Sequence, residues 1–358
     1  PGTIYIMNVV SSGEGLSYQW YKNGTLIDGE TQSSITTGES GSYTVITGGD
    51  CGIDTSVTAV IRIKEVTGIS TEPVGAEICP STSHTMSLAS AGEGLLYQWY
   101  KDGNSIDGAL SSAYSASTTG NYYVIVSGDC GKDTSGTVIV RVKAATVIAS
   151  EPAGIAICPG TTNTMSVASA GEGLSYQWYK DGTIINTATQ ASYTTGEGGS
   201  YTVIVSGDCG KDTSSAAIIR IKEITVISAE SVGASICPGT THTMSVVSAG
   251  EGLAYQWYRD GAIINTATQA GYTTGEEGSY SVMVSGDCGK DTSVSAVIRI
   301  KEVTGITTEP AGAAICPGTT HSMSVASAGE GLSYQWYKDG AIINTATQAS
   351  YTTGEGGR

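Results

Sequence analysis

Eight cysteines, three histidines and a recurring trio of acids are the residues in this 358-residue chain whose types could do chemistry. The cysteines form two series, Cys51, Cys130, Cys209, Cys288 and Cys79, Cys158, Cys237, Cys316, with 79 residues between successive members of each. Thiols at so fixed a spacing suit disulfide cross-linking in an oxidising compartment. His84, His242 and His321 share one position of the same period, held by Asn163 in the third copy and Tyr5 in the first. A position so freely exchanged fits a solvent-facing strand residue better than a catalytic base or metal ligand. Glu172, Asp208 and Asp212 recur as Glu93/Asp129/Asp133 and Glu251/Asp287/Asp291. Such oxygen ligands at one pole of a unit could hold Ca²⁺, although Gly-Asp and Glu-Gly are also ordinary turn residues. No Ser/His/Asp set, phosphate-binding glycine loop or metal-spaced cluster stands out. The sequence reads as non-enzymatic and, that Ca²⁺ option aside, without a cofactor.

The same period governs everything else. The five tryptophans, Trp20, Trp99, Trp178, Trp257 and Trp336, sit inside five copies of one heptapeptide, "YQWYKDG" in its commonest form. A fixed period without insertions marks a tandem array of domain-sized units rather than a solenoid. The copies are close: 160–199 and 318–357 differ only at Asn163/His321, Thr164/Ser322 and Thr183/Ala341. The expected units are 1–66, 67–145, 146–224, 225–303 and 304–358, the first and last truncated, as in a window on a longer array. The formal net charge of −16 argues against nucleic acid, which needs a basic surface. No run of about 18 apolar residues exists, so no membrane insertion is expected in this segment.

Each unit reads as short strands. In the third, "TMSVAS" (164–169) alternates with Met165 and Val167 on one face, and "LSYQWYK" (174–180) puts Leu174, Tyr176 and Trp178 one way. "DG" then turns the chain. "SYTVIVSG" (200–207) directs Tyr201, Val203 and Val205 inward, "GDCGKD" makes a tight hairpin, and "SSAAIIRIK" (214–222) directs Ala217, Ile219 and Ile221 inward with Arg220 and Lys222 out. Glycine and β-branched residues interrupt every helical window.

Six or seven short strands around one tryptophan, with turns every 8–12 residues, predict an all-β chain: a tandem array of immunoglobulin-like β-sandwiches. "YQWYKDG" resembles strand C of such a domain and "GSYTVIV" strand F with its tyrosine corner; Val167 and Val203 stand where the usual cysteines of strands B and F would be. The pattern "ICPGTT…MSVAS…YQWYKDG…GSYTVIVSGDCG" resembles the Ig-like repeats of secreted Bacteroidota surface proteins, which occur in adhesins, filaments and enzyme stalks. The resemblance implies an extracellular or cell-surface setting.

The Ig register constrains the disulfide candidates Cys79, Cys130, Cys158, Cys209, Cys237 and Cys288. It places Cys158 at the C-terminal pole of its domain and Cys209 at the N-terminal pole, about 45 Å apart, against the roughly 7 Å a disulfide allows. An intradomain Cys158–Cys209 bond then needs a departure from the plain Ig path. The alternatives join neighbours, Cys79 to Cys209 and Cys158 to Cys288, or leave the thiols free. The linker "KEITVISAESVGASIC" (222–237) has no Gly/Ser tract, so strand G is expected to feed the next strand A with little hinge freedom.

The outward face of strands C, F and G carries Tyr179, Ile204 and Ile218, expected side by side. The set recurs as Tyr21/Ile46/Val60, Tyr100/Ile125/Ile139 and Tyr258/Met283/Val297, with Tyr337 in the fifth unit. A solvated sheet face alternates to polar, so an apolar stripe here is an interface candidate. The expected partner is another copy of the chain in a bundle or fibre; the alternative is a surface glycan on Tyr179 and Gln177. The repeated "DTS" (54–56, 133–135, 212–214, 291–293) loosely resembles an O-glycan acceptor, and Asn23-Gly24-Thr25 is an N-linked sequon. The reading that results is a stiff, disulfide-stabilised stalk or fibre segment. The alternatives are multivalent ligand-binding modules or the stalk of a secreted enzyme.

Overall fold

The computed structural model describes residues 2–356, and every regular element among them is a β-strand. Among the described residues no helix is long and apolar enough to cross a membrane. The chain divides into two compact units, one holding repeats 1 and 2 with part of repeat 3, the other the rest of repeat 3 with repeats 4 and 5.

In the first unit, repeat 2 shows the complete design. Strand A (Gly68–Thr71) pairs with the second half of strand B (Ala89–Ala91), and the first half of B (His84–Ser87) pairs with strand E (Ala113–Ala116). The facing sheet runs C′ (Asn104–Ser105), C (Leu96–Lys101), F (Gly120–Gly128), G (Val138–Val142) and A′ (Ala76–Ile78). A′ lies parallel to G, and the other neighbours are antiparallel. This is an immunoglobulin-like sandwich whose first strand is split between the two sheets.

The alternating sequence explains the layering. Tyr122, Val124 and Val126 of strand F point inward and are buried, and Trp99 lies opposite Val124 with its ring fully buried. Met86, Leu88 and Val140 close the core around it. The indole N–H donates to the Ser111 carbonyl at 2.9 Å, so this polar atom enters the core already paired. The Tyr122 hydroxyl donates to the Thr118 carbonyl at 2.9 Å, the expected tyrosine corner. Asp102 and Gly103 take φ of 50° and 83° at the C–C′ hairpin, the left-handed pair that Asp-Gly favours. The Asp102 carboxylate also accepts the Asn121 N–H at 2.9 Å.

Two features depart from the simple pattern. Strand A leaves its sheet through Gly75, which passes so close to strand G that a Cβ there would lie 2.2 Å from the Ile139 carbonyl oxygen. Only glycine permits that crossing. After the F–G hairpin, a short ribbon (Gly131–Thr134) pairs with the end of F. Ser135 then turns inward, its hydroxyl accepting the Val124 N–H at 3.0 Å, and G proper pairs with the beginning of F. The "DTS" of this repeat therefore shapes the fold. Asp133 holds strand A by accepting the Ile69 N–H at 2.8 Å, and Ser135 re-registers strand G.

Repeat 1 in the same unit carries B (Tyr5–Asn8) on E (Ser34–Thr37), and C, F and G around Trp20, Tyr43 and Val45. Repeat 3 contributes A (Val147–Ser150) paired with Ala168–Ala170, and the end of F paired with the ribbon Gly210–Thr213. Val167 and Val203, standing where Ig cysteines would be, are both buried.

In the second unit, repeat 3 places A′ (Ile155–Ile157) parallel to G (Ala217–Ile221), and B (Asn163–Ser166) on E (Ser192–Thr195). Repeat 4 reproduces the whole sandwich, with Trp257, Tyr280, Val282, Val284 and Ile298 in its core. Repeat 5 shows strand A on B, strand B on E, and a short C–C′ pair.

Candidate functional site

The chemistry-bearing residues gather where one repeat hands over to the next. Strands A′ and G of repeat 2 run parallel to the same end, and the Lys143 N–H donates to the Ile78 carbonyl at 2.8 Å, extending the ladder to the residue before Cys79. The F–G hairpin of repeat 3 brings Cys209 to that point. Cys79 and Cys209 are joined by a disulfide, with Cα atoms 5.3 Å apart. Ion pairs flank it. The Arg141 guanidinium makes a two-pronged pair with Glu172 of repeat 3, at 2.8 and 2.7 Å, and also reaches Glu77 at 2.6 Å. Lys143 lies 2.7 Å from Asp208, the residue before Cys209, and 3.0 Å from Glu77. Facing Arg141, the Glu172 and Glu77 carboxyls are held below the usual carboxylate range, and the Arg141 pKa is raised. Fork geometry of this kind fixes orientation as well as adding attraction.

Inside the second unit the same construction joins repeat 3 to repeat 4. Cys158 and Cys288 form a disulfide, Arg220 grips Glu251 at 2.5 and 2.9 Å, and Lys222 lies 2.6 Å from Asp287. Between repeats 1 and 2, inside the first unit, Arg62 pairs with Glu93 and Lys64 with Asp129. The linker itself is gripped: Thr146 is buried and its N–H reaches the Cys209 carbonyl at 3.4 Å. Gly207 leaves room for it, since a Cβ there would lie 2.5 Å from the threonine hydroxyl.

Of the candidate cysteines, Cys79, Cys158, Cys209 and Cys288 pair between neighbours, so the intradomain Cys158–Cys209 bond is not formed. Cys130 and Cys237 are unpaired within this chain, as are Cys51 and Cys316. Both bonds span 130 residues, and a cysteine at that separation from Cys130 or Cys237 would fall outside the chain.

The members of the acidic trio serve different partners. Glu172 and Asp208 meet the basic pair of the preceding repeat, while the Asp212 carboxylate accepts the N–H groups of Ile148 and Thr213, both at 2.8 Å. The oxygens that the sequence offers to Ca²⁺ are thus directed at separate groups. His84, His242 and His321 are half-buried rather than solvent-facing, each with Nε2 near 3 Å from the carbonyl of Val74, Val232 or Ala311 at the A–A′ crossing.

The outward stripe is also altered by the strand register. Ile125 lies opposite Thr134 of the ribbon, whereas Ile139 of strand G lies opposite Asn121. In repeats 3 and 4, Ile204 and Met283 face the ribbon while Ile218 and Val297 face Ser200 and Ser279. The expected side-by-side contact of F and G residues is therefore absent, because the inward serine shifts G along F. Tyr100 stacks on Tyr123, rings 4.8 Å apart, and Tyr21, Tyr100, Tyr179 and Tyr258 are half-buried. Val60, Ile139, Ile218 and Val297 stay exposed, each at the same place in its repeat. Gln98 and Gln256 spend their amide N–H groups on backbone carbonyls of strand C and the C′ turn.

Sequence reasoning missed the clamps, because it takes Arg220 and Lys222 as outward solvated residues. A signal exists in the spacing: each arginine meets a glutamate 31 residues on, and each lysine an aspartate 65 residues on, at the junctions of repeats 1–2, 2–3 and 3–4.

Taken together, strand order, core and junctions define tandem immunoglobulin-like domains cross-linked to their neighbours. No family model matches the chain, and no curated protein matches it. Solved structures similar to it include Sidekick-1 immunoglobulin domains 1–5, at 14% identity over 97% of this chain and 85% of that one, TM-score 0.38. The I-band fragment I67–I69 of titin shares 15% identity over 67% of this chain and 100% of that one, TM-score 0.46. Three N-terminal domains of the bacteriophage RB49 outer capsid protein Hoc share 13% over 66% and 99%, TM-score 0.41. The Ig-like assignment rests on the strand order and core described above.

Proposed function

We propose that this chain is the repeat region of an extracellular stalk or fibre, whose work is to hold distance. The observation that carries the reading is the junction. A disulfide between neighbours, two ion pairs beside it and a buried linker threonine together oppose bending between one repeat and the next. Disulfides of this kind belong to an oxidising compartment, which supports a secreted or surface location. The four expected boundaries between the five units follow the same repeat period. In this proposal the beads form a stiff rod, and the partner along its flank is another copy of the chain, met through the outward aliphatic residues of strands F and G. The use of the Gln98 and Gln256 amides on backbone carbonyls favours this over a glycan partner, since donors already engaged are not offered to a sugar.

Electron microscopy of the oxidised chain tests the proposal. Straight particles of constant width are expected, becoming bent chains of beads in a dithiol. Flexible beads under oxidising conditions would overturn the rod. Replacing Ile46, Ile125, Ile204 and Met283 by Thr should abolish lateral bundling, and bundles unaffected by the change would reject the flank contact.

A further inference from the structure

The two staples overlap. One joins Cys79 to Cys209 and the other Cys158 to Cys288, so residues 158–209 lie inside both loops. Three stretches of backbone therefore connect the same pair of cross-links: 79–158, 158–209 and 209–288. Had each bond closed within a single repeat, the loops would lie end to end and only one stretch would join them. Here the shortest stretch, 158–209, runs backwards between the cross-links and comprises the B-to-F portion of repeat 3.

We propose that the overlapping staples form a covalent load-sharing ladder. Tension entering along the chain crosses from Cys79 to Cys209, is borne by 158–209, and leaves from Cys158 to Cys288. The two longer stretches stay slack while both bonds hold. Strands B to G of repeat 2 can then come apart without lengthening the molecule, because their residues lie on a slack branch. The staples set a ceiling on extension that folding stability alone would not provide. Lifting the ceiling requires a thiol reductant: each bond takes two electrons and two protons, giving two cysteine thiols as the reductant closes its own disulfide.

The ladder deepens the stalk reading, since tension matters only if the chain bears it, yet its geometry is testable on one isolated molecule. The end-to-end covalent path is about 200 residues with both staples and about 360 without, or about 700 Å against 1,250 Å at roughly 3.5 Å per residue. The overlap makes the two contributions strongly non-additive. Loss of either staple alone reroutes tension through the other and adds only about 100 Å, whereas loss of both adds about 550 Å. Bonds closed within repeats would instead add about 180 Å each, independently.

The test is single-molecule force spectroscopy on the full chain, tethered at its ends, with Cys51, Cys130, Cys237 and Cys316 replaced by Ser to prevent new pairings. Measured contour lengths should gain about 100 Å in Cys79→Ser, about 100 Å in Cys158→Ser, and about 550 Å when both are changed or a dithiol is added. Equal, additive increments, or no change on reduction, would overturn the ladder. A failure of the stalk reading would appear elsewhere, as bent particles in electron microscopy with these lengths unaltered.

Discussion

Removing one staple should cost the chain much of its stability. In Cys288→Ser the bond to Cys158 is lost, and the loop it closed spans 130 residues. Loop-closure entropy for that size gives about 5 kcal/mol at room temperature, and loss of native disulfides typically costs about 2–5 kcal/mol. The two joined domains make a unit of roughly 150 residues, for which each kcal/mol moves the midpoint by about 2–4 °C. The transition assigned to repeats 3 and 4 should therefore fall by about 10 °C. Differential scanning calorimetry of the oxidised variant measures this directly. Cys316→Ser is the matched control, because Cys316 is an exposed free thiol, and it should leave the trace unchanged. Equal effects from the two substitutions, or a shift below about 2 °C in Cys288→Ser, would refute the reasoning.

Three further outcomes follow from the core and the junction. Trp257→Ala removes a fully buried ring from the centre of repeat 4 and should cost about 3–5 kcal/mol, seen as loss of the repeat-4 transition in urea while repeat 2 unfolds unchanged. Gly286→Ala sets a methyl 2.5 Å from the Thr225 hydroxyl and 2.7 Å from the Glu251 carbonyl, and should cost about 1–3 kcal/mol; an unchanged midpoint would contradict the tight linker contact. The Glu77, Glu172 and Glu251 carboxyls are depressed by their arginines, so their contribution is fully present above the ordinary carboxylate value near about 4.3 and is lost as pH falls through the lower folded value. Melting temperature should drop on acidification below that point, and Glu172→Gln with Glu251→Gln should flatten the drop; identical profiles in variant and parent would count against the clamps.

How much of this was legible in the sequence varies with the range of the interaction. Asp102-Gly103, Trp99, Tyr122 and the alternation of strand F act through neighbours a few residues away or through simple two-faced periodicity, and each took its expected place. Strand G kept its facing at Ala217 and Ile219, both buried, but Ile221 is exposed and the register along F is shifted, because one inward serine hydroxyl replaces a ladder bond. The split of strand A was hidden in Gly75, whose role depends on a backbone it meets only after folding. Arginine and lysine at the end of a strand look like any solvated pair. Their partners lie in the next copy, so the clamp is visible only when two copies are compared in series. The cysteines left both pairings open even with the Ig register in hand, because the bond joins surfaces of two different copies that meet only after folding.

The central claim is that neighbouring repeats, not strands within one repeat, are covalently joined. Tryptic digestion of the native chain under non-reducing conditions, read by mass spectrometry, tests it most directly. Cleavage after Lys64, Lys101, Lys143, Lys180, Lys211, Arg259 and Lys290 isolates every relevant cysteine on its own peptide. The account predicts 144–180 linked to 260–290, and 65–101 linked to 181–211, each pair separating on reduction. A linked pair of 144–180 with 181–211 would contradict it.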